Sequence, residues 1–186
     1  LPNMYKSTAS MSVVESTRTV GGGSLMGGIG GLGLGVAEFG VKGPRYVNTV
    51  RSRGFFKRLT EVDEDFLPVL MAKKDYDPET KKLTFNSNAY DEVNKKWLVE
   101  KPHTDDAYVE YMSKINISYH SERHIIDISA QHMSPIAAKE ILDSVIIEAD
   151  QLLRKFDLDR SDESLEYLTK AIANQQQLAL RNAMND

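Results

Sequence analysis

Ser134-Pro135-Ile136-Ala137-Ala138-Lys139-Glu140-Ile141-Leu142 begins the stretch that decides the fold. Ser134 is placed to cap a helix, and Pro135 falls at the first helical position, where a missing N–H costs nothing. No proline or glycine follows Pro135. Leu142, Val145, Ala149, Leu152 and Phe156 recur at three- and four-residue spacing, and Leu165, Leu168 and Ile172 form a second stripe. That is the period of an amphipathic helix. Between the stripes, Asp157-Leu158-Asp159-Arg160-Ser161-Asp162-Glu163 interrupts the apolar face. The spacing is met either by one helix or by two with a break there. One unbroken helix of about 50 residues is about 75 Å long. A globule of this chain length, with a radius of gyration of about 16 Å, is roughly 40 Å across. A single helix would therefore leave the globule and need other company.

Working back from Ser134, Ile115 to Met133 reads as a hairpin. Ile115, Ile117 and Tyr119 alternate with Asn116, Ser118 and His120, Ser121-Glu122-Arg123 makes the bend, and Ile126, Ile128 and Ala130 alternate with Asp127, Ser129 and Gln131. One face is buried. Near the start, Tyr5, Ser7, Ala9, Met11 and Val13 share one face of a strand against Lys6, Thr8, Ser10 and Ser12. The two β segments and several helices predict an α+β domain in which the first strand returns to pair with the hairpin. The expected fold is a small mixed sheet with flanking helices and a long protruding helix. Its expected division is a base domain at 1–133 and the long helix at 134–186.

Between these segments, helices are expected from Pro44 to Arg51, after a Ser52 cap with Phe55, Phe56 and Leu59 inward, and after Asp65 with Phe66, Leu67, Leu70 and Met71. Pro68 is comfortable only in a first turn, which favours the start at Asp65 over Asp63. Lys73 to Leu83 is polar, with a turn at Asp77-Pro78-Glu79-Thr80. Asn88 to Trp97 is expected as a short helix carrying Tyr90, Val93 and Trp97 on one side, and Thr104 as the cap of a helix to Lys114.

Composition narrows the function classes. The 186 residues carry 23 basic and 27 acidic side chains, a net charge of −4, which argues against nucleic acid as a partner. There is no cysteine, so disulfides, zinc–thiolate sites and cysteine nucleophiles are excluded. No stretch qualifies as a membrane span. The first residue is Leu1 and no helix-stop signal closes the end, so a fragment of a longer protein is expected, with any membrane segment outside it.

The motifs that suggest chemistry are weak. All 12 glycines fall between Gly21 and Gly54, and the run from Gly21 to Gly35 is expected to be a mobile loop. Gly28-Ile29-Gly30-Gly31-Leu32-Gly33 fits the dinucleotide pattern, but no hydrophobic strand leads into it and no acidic residue follows at ribose distance. Gly27, Gly31 and Gly35 have the small-residue spacing of membrane helices, which Glu38 and the glycine density oppose. Of His103, His120, His124 and His132, the pair His120 and His124 flanks the hairpin bend. His132 falls in register with Ile126 and Ile128, so His120 and His132 point apart, and Asp127 is aimed at neither. Asp157, Asp159, Asp162 and Glu163 lack the glycine and terminal glutamate of a calcium loop. No Gly-x-Ser-x-Gly occurs. No catalytic, cofactor-binding or metal-ligating residue is assigned, and no cofactor is expected. Tyr5, Trp97, Tyr108 and Tyr111 suit either sugar stacking or core packing.

Several stretches in order resemble the periplasmic domain of the Wzz-type polysaccharide chain-length determinants, the co-polymerases of Gram-negative inner membranes. They are Leu1-Pro2 with Tyr5-Lys6-Ser7 and Ala9, the glycine-rich loop, Ser52-Arg53 with Phe55, Pro68 to Ala72, Tyr76-Asp77, and Tyr90-Asp91 to Lys96-Trp97. The hairpin, Ser134-Pro135 and the long helix complete the likeness. The family's return strand and its proline-rich approach to a second membrane helix are absent from this sequence. The resemblance implies a non-enzymatic regulator of lipopolysaccharide O-antigen or related surface polysaccharide length. It implies a homo-oligomeric ring held in the inner membrane by segments outside this sequence, with this part periplasmic. The implied partners are further copies, a separate membrane-embedded polymerase and a lipid-linked polysaccharide. The competing readings are a monomeric carbohydrate- or protein-binding module and a hydrolase with an unrecognised site.

Overall fold

Alternation at the start of the chain makes a strand. In the structure, a computed structural model that describes residues 3–13 and 42–185, Tyr5–Ser12 forms β1 with its odd-numbered side chains turned inward. The helices that follow are α1 (Lys42–Val50), α2 (Arg53–Val62) and α3 (Phe66–Met71). Two small hairpins come next, β2 (Lys73–Asp77) with β3 (Lys82–Phe85), and β4 (Tyr90–Asp91) with β5 (Lys96–Trp97). Then come α4 (Thr104–Lys114), β6 (Ile115–His120), β7 (Ile125–His132) and α5 (Pro135–Asn185).

The fold class is α+β, as the sequence predicts. The main sheet has the order β1-β7-β6, so the first strand does return to the hairpin. Its register sets Ala9 opposite Ile128 and Ile117 opposite Ile128 on the other side. A mixed sheet was expected; every pairing is antiparallel, because each neighbour of β7 runs against it. By packing, the chain forms two units, residues 1–147 and residues 148–186, and the division falls inside α5.

In the first unit the buried face of the sheet supplies Ile117, Ile126, Ile128 and Ala130. α2 and α4 add Phe55, Phe56, Leu59, Ala107 and Tyr111. Phe56 and Tyr111 meet at 5.1 Å between ring centroids, with Phe66 6.2 Å from Tyr111. The buried Tyr111 hydroxyl donates to the Val50 carbonyl at 2.9 Å, and burial raises its pKa far above the usual phenol range. Arg51 donates to the Ile117 carbonyl at 2.7 Å and ties the end of α1 to β6. Gly43 of α1 lies against Tyr119, where an added Cβ would stand 2.3 Å from the ring. Only glycine lets the helix backbone come this close to the ring. The opening turns of α5 belong here too: Ala137, Ala138, Ile141, Leu142 and Val145 are buried, and Ser144 donates to Asp63 at 3.1 Å.

Three helix starts follow the sequence, two of them with the expected cap, and one cap departs from it. Ser52 accepts from the Phe55 N–H at 3.1 Å, Ser134 accepts from Ala137 at 3.2 Å, and Pro68 sits in the first turn of α3 after Asp65. At α4 the cap is His103 rather than Thr104; its Nδ1 accepts from the Asp105 N–H at 3.3 Å. The imidazole nitrogen does the work usually given to a hydroxyl.

The expected helix from Asn88 to Trp97 is not formed. Asp91 Oδ1 accepts from the N–H groups of Val93 and Asn94, at 3.0 and 3.1 Å, and this local bonding closes a turn in place of a helix. Lys95 completes it at φ 50°. Val93, assigned to the inner side of that helix, is 91% exposed. The polar stretch from Lys73 to Leu83 also holds more order than expected. Its turn lies at Asp77 as read, but strands flank it, with Tyr76 opposite Leu83. The glycine-rich run and the dinucleotide-like pattern lie outside the described residues.

The second unit is helical throughout. α5 passes through residues 157–163 without a break, which settles the choice between one helix and two. Ser161 bonds back to the Asp157 carbonyl and Ser164 to that of Arg160, both at 2.8 Å. Among the described residues no helix is long and apolar enough to cross a membrane.

Candidate functional site

The histidines separate as the alternation predicts. His120 lies on the open face of the sheet, with Nε2 2.9 Å from Asp127 Oδ2, and Ser10 donates to Asp127 Oδ1 at 2.5 Å. So Asp127, expected to be aimed at neither histidine, does meet His120, because the two sit near each other across β6 and β7. The Ser10 hydroxyl, and after it His120, holds the Asp127 carboxyl below the usual range. This trio is not a nucleophilic triad. The carboxylate stands between serine and histidine, so the imidazole does not touch the Ser10 hydroxyl. His124, at φ 51°, meets the Tyr119 hydroxyl at 3.1 Å.

His132 is in the core. Its Nδ1 accepts from the Ser134 N–H at 3.1 Å, which leaves the proton on Nε2, 3.1 Å from the Val69 carbonyl. Burial, only partly offset by the Val69 hydrogen bond, lowers its pKa from 6.5 to about 4. It is a neutral structural histidine that locks the end of β7 to α3 and to the start of α5. No cluster of three or more metal-ligating side chains occurs among the described residues. Asp157, Asp159, Asp162 and Glu163 are all exposed along α5.

Two features remain that point outward. The first is on the second unit. Leu158, Leu165 and Ile172 stand seven residues apart and are 65%, 61% and 56% exposed, with Leu168 between them at 41%. Successive sevens lie nearly in line along a helix, so these side chains form one apolar seam.

The second is a cleft in the first unit, about 270 Å³ in volume, between α2, α3 and the β4–β5 hairpin. Tyr90 and Trp97 face each other across β4 and β5 in an edge-on contact 5.3 Å between ring centroids. Both line the cleft, as do Glu64, Lys95 and Lys101. Lys95 pairs with Asp65 at 2.7 Å. Burial, then the nearby Asp65 charge, raises the pKa of the Tyr90 hydroxyl. A neighbouring cavity of about 260 Å³ shares Thr60, Leu67 and Lys101 with the first and continues to Pro102, His103 and Thr104.

Of the aromatic residues weighed for stacking, Tyr111 is wholly buried, and Tyr108 packs 5.9 Å from Phe56 beneath the Arg53 guanidinium. Tyr5 meets Tyr76 edge-on at 6.1 Å. Trp97 alone of the four lines a cavity described here. From the sequence, Tyr90 reads only as one side of an expected helix and Lys95 and Lys101 carry no signal, because a helix over 88–97 hides the turn that gathers Tyr90, Lys95 and Trp97. No protein family, curated protein or solved structure matches the chain.

Proposed function

We propose that this chain is the periplasmic part of a non-catalytic regulator of surface-polysaccharide length. In this reading it is a homo-oligomeric co-polymerase that acts with a separate membrane-embedded polymerase and is held in the bacterial inner membrane by segments outside this sequence. The observation that carries the reading is the seam of Leu158, Leu165, Leu168 and Ile172, whose seven-residue repeat matches the packing of one helix against another of the same kind. The ordered likeness of the sequence to the chain-length determinants supplies the particular task. A seam of this type is covered by a second copy of itself, and a closed ring repeats that contact once per subunit. A small change at one contact is therefore multiplied around the ring.

The test has a cellular and a solution arm. Deleting the whole gene should leave polymer that has lost its preferred length; complete loss of polymer would contradict the regulator. Lys170→Glu reverses a charge that pairs with Glu166 at 2.6 Å beside the seam. It should shift or broaden the length distribution without stopping synthesis. In sedimentation of the protein, Leu165→Asp should reduce the assembly to monomers.

A further inference from the structure

His132 sits where the main sheet meets the start of α5, and both of its ring nitrogens are bonded to backbone there. We propose that it is a proton-operated latch: a second proton on the ring releases the first turn of α5, residues 135–138, from β7 and α3 while the sheet stays closed. The inference does not rest on the helix seam or on an oligomeric state.

The hydrogen bonds of the ring leave no place for that proton. Nε2 already carries one, directed at the Val69 carbonyl, so a second must go to Nδ1. Nδ1 is the acceptor of the Ser134 N–H at 3.1 Å. Protonation turns it into a donor that faces another donor, and both are then buried without an acceptor. Ser134 is itself buried, caps the Ala137 N–H with its hydroxyl at 3.2 Å and takes the Ala138 N–H on its carbonyl at 2.9 Å. The bond lost at Nδ1 therefore adjoins the bonds that start the helix.

The surrounding charges do not rescue a positive ring. Lys73 of β2 and Lys114 of α4 both oppose it. Glu110 of α4 is held by Lys73 at 2.8 Å and by Lys114 at 3.6 Å. Lys73 also donates to the Leu70 carbonyl. β1 sets Tyr5 opposite His132 and contains no acid. α3 has no ionisable side chain and meets the ring through the Val69 carbonyl. The first acid of α5, Glu140, is exposed.

Relief needs only the first turn to move. In it Ile136 is already 45% exposed, and Ala137 and Ala138 bury no more than a methyl group each. The larger anchors, Ile141 and Leu142, begin one turn later. The sheet is held by Ile117, Ile126 and Ile128, which no proton touches. Lifting residues 134–138 hydrates the ring while exposing far less apolar area than opening the sheet would.

Amide hydrogen exchange of the whole chain, corrected for the intrinsic effect of pH, tests the latch. The closed ring takes its second proton at about pH 4 and a hydrated ring near 6.5. The opening equilibrium should therefore rise about tenfold per pH unit from pH 6.5 down to 4, about 300-fold in all, and level off below. The amides of Ala137 and Ala138 should lose protection by that factor. Those of β7, which has a strand on both sides, should stay at least about tenfold better protected throughout. His132→Gln should leave Ala137 and Ala138 indifferent to pH. Lys114→Gln, at a partly exposed side chain, removes a charge that opposes the second proton and should move the loss to higher pH. Equal protection of the first turn and β7 at every pH would overturn the proposal, because opening would then be global. So would protection of Ala137 and Ala138 that does not change between pH 6.5 and 4, a loss that persists in His132→Gln, or an unmoved midpoint in Lys114→Gln.

Discussion

Residues 1–147 and residues 156–172 treat their large apolar side chains in opposite ways. The first unit buries Phe55, Phe56, Leu70, Ile117 and Ile128 to 1–2% exposure or less; the second leaves Leu158, Leu165 and Ile172 more than half exposed. A helix in water gains little from propensity alone, and most helical stability comes from an apolar face packed against something. The first unit has that packing within itself. The second carries the spacing of a packing face at Leu158, Leu165 and Ile172 without the burial.

Substitutions should therefore divide by region. Phe56→Ala removes a ring shared by α2, α3 and α4 and should cost about 3–5 kcal/mol in chemical denaturation. A loss near that of a surface site would erase the contrast between the units. Next in size is a pH effect confined to the first unit. Neutral His132 takes up no second proton in the native state until the pH falls to about 4, while the unfolded chain takes it up near 6.5. The native pKa is the lower of the two, so unfolding binds a proton and acid favours it. Stability should be level above about pH 7 and fall by about 1–2 kcal/mol between pH 7 and pH 5. His132→Gln should flatten that slope; a slope that survives the substitution belongs to another group.

Gly43→Ala comes third. The new methyl meets the Tyr119 ring, and the overpacking, about 1–3 kcal/mol, outweighs the gain in helix propensity of about 1 kcal/mol. A net destabilisation is expected, and adding Tyr119→Ala should relieve it; a stabilised single variant would show that the ring swings aside freely. The smallest folding effect should come from Leu165→Ala in the second unit. Its effect on monomer stability should stay within about 0.5 kcal/mol, while sedimentation shows weakened assembly. A large loss of monomer stability would mean that the seam is already covered within one chain.

Legibility in the sequence follows the range of the interaction. β1, β6 and β7 alternate strictly because one face is buried, and that pattern appears directly in the residue order. Ser52 and Ser134 mark helix starts through bonds three residues long, Asp65 marks another without a side-chain bond, and those starts are correct. The β4–β5 hairpin was missed because Asp91 and Lys95 make a turn without glycine or proline. Asp91 bonds its own neighbours, and Lys95 takes a left-handed φ that lysine seldom adopts. At the same time Tyr90 and Trp97 keep a seven-residue spacing that a helix also satisfies. Misreading this one turn also concealed the cleft, since Lys95 and Trp97 reach it only through the hairpin. The glycine at 43 gave no signal either, because its reason is a ring 76 positions later in the chain.

The pairing of β1 with β7 also has a consequence in time. Ser10 meets Asp127 across 117 positions of chain. At synthesis rates of about 5–20 residues per second, β1 emerges roughly 6–24 s before its partner strand exists. α1, α2 and α3 can form during that interval, but the sheet cannot close. Through those seconds β1 is an unpaired strand with one apolar face, open to the wrong neighbour. Pairing it late carries the loop-closure cost of a long intervening chain, which slows closure of the sheet.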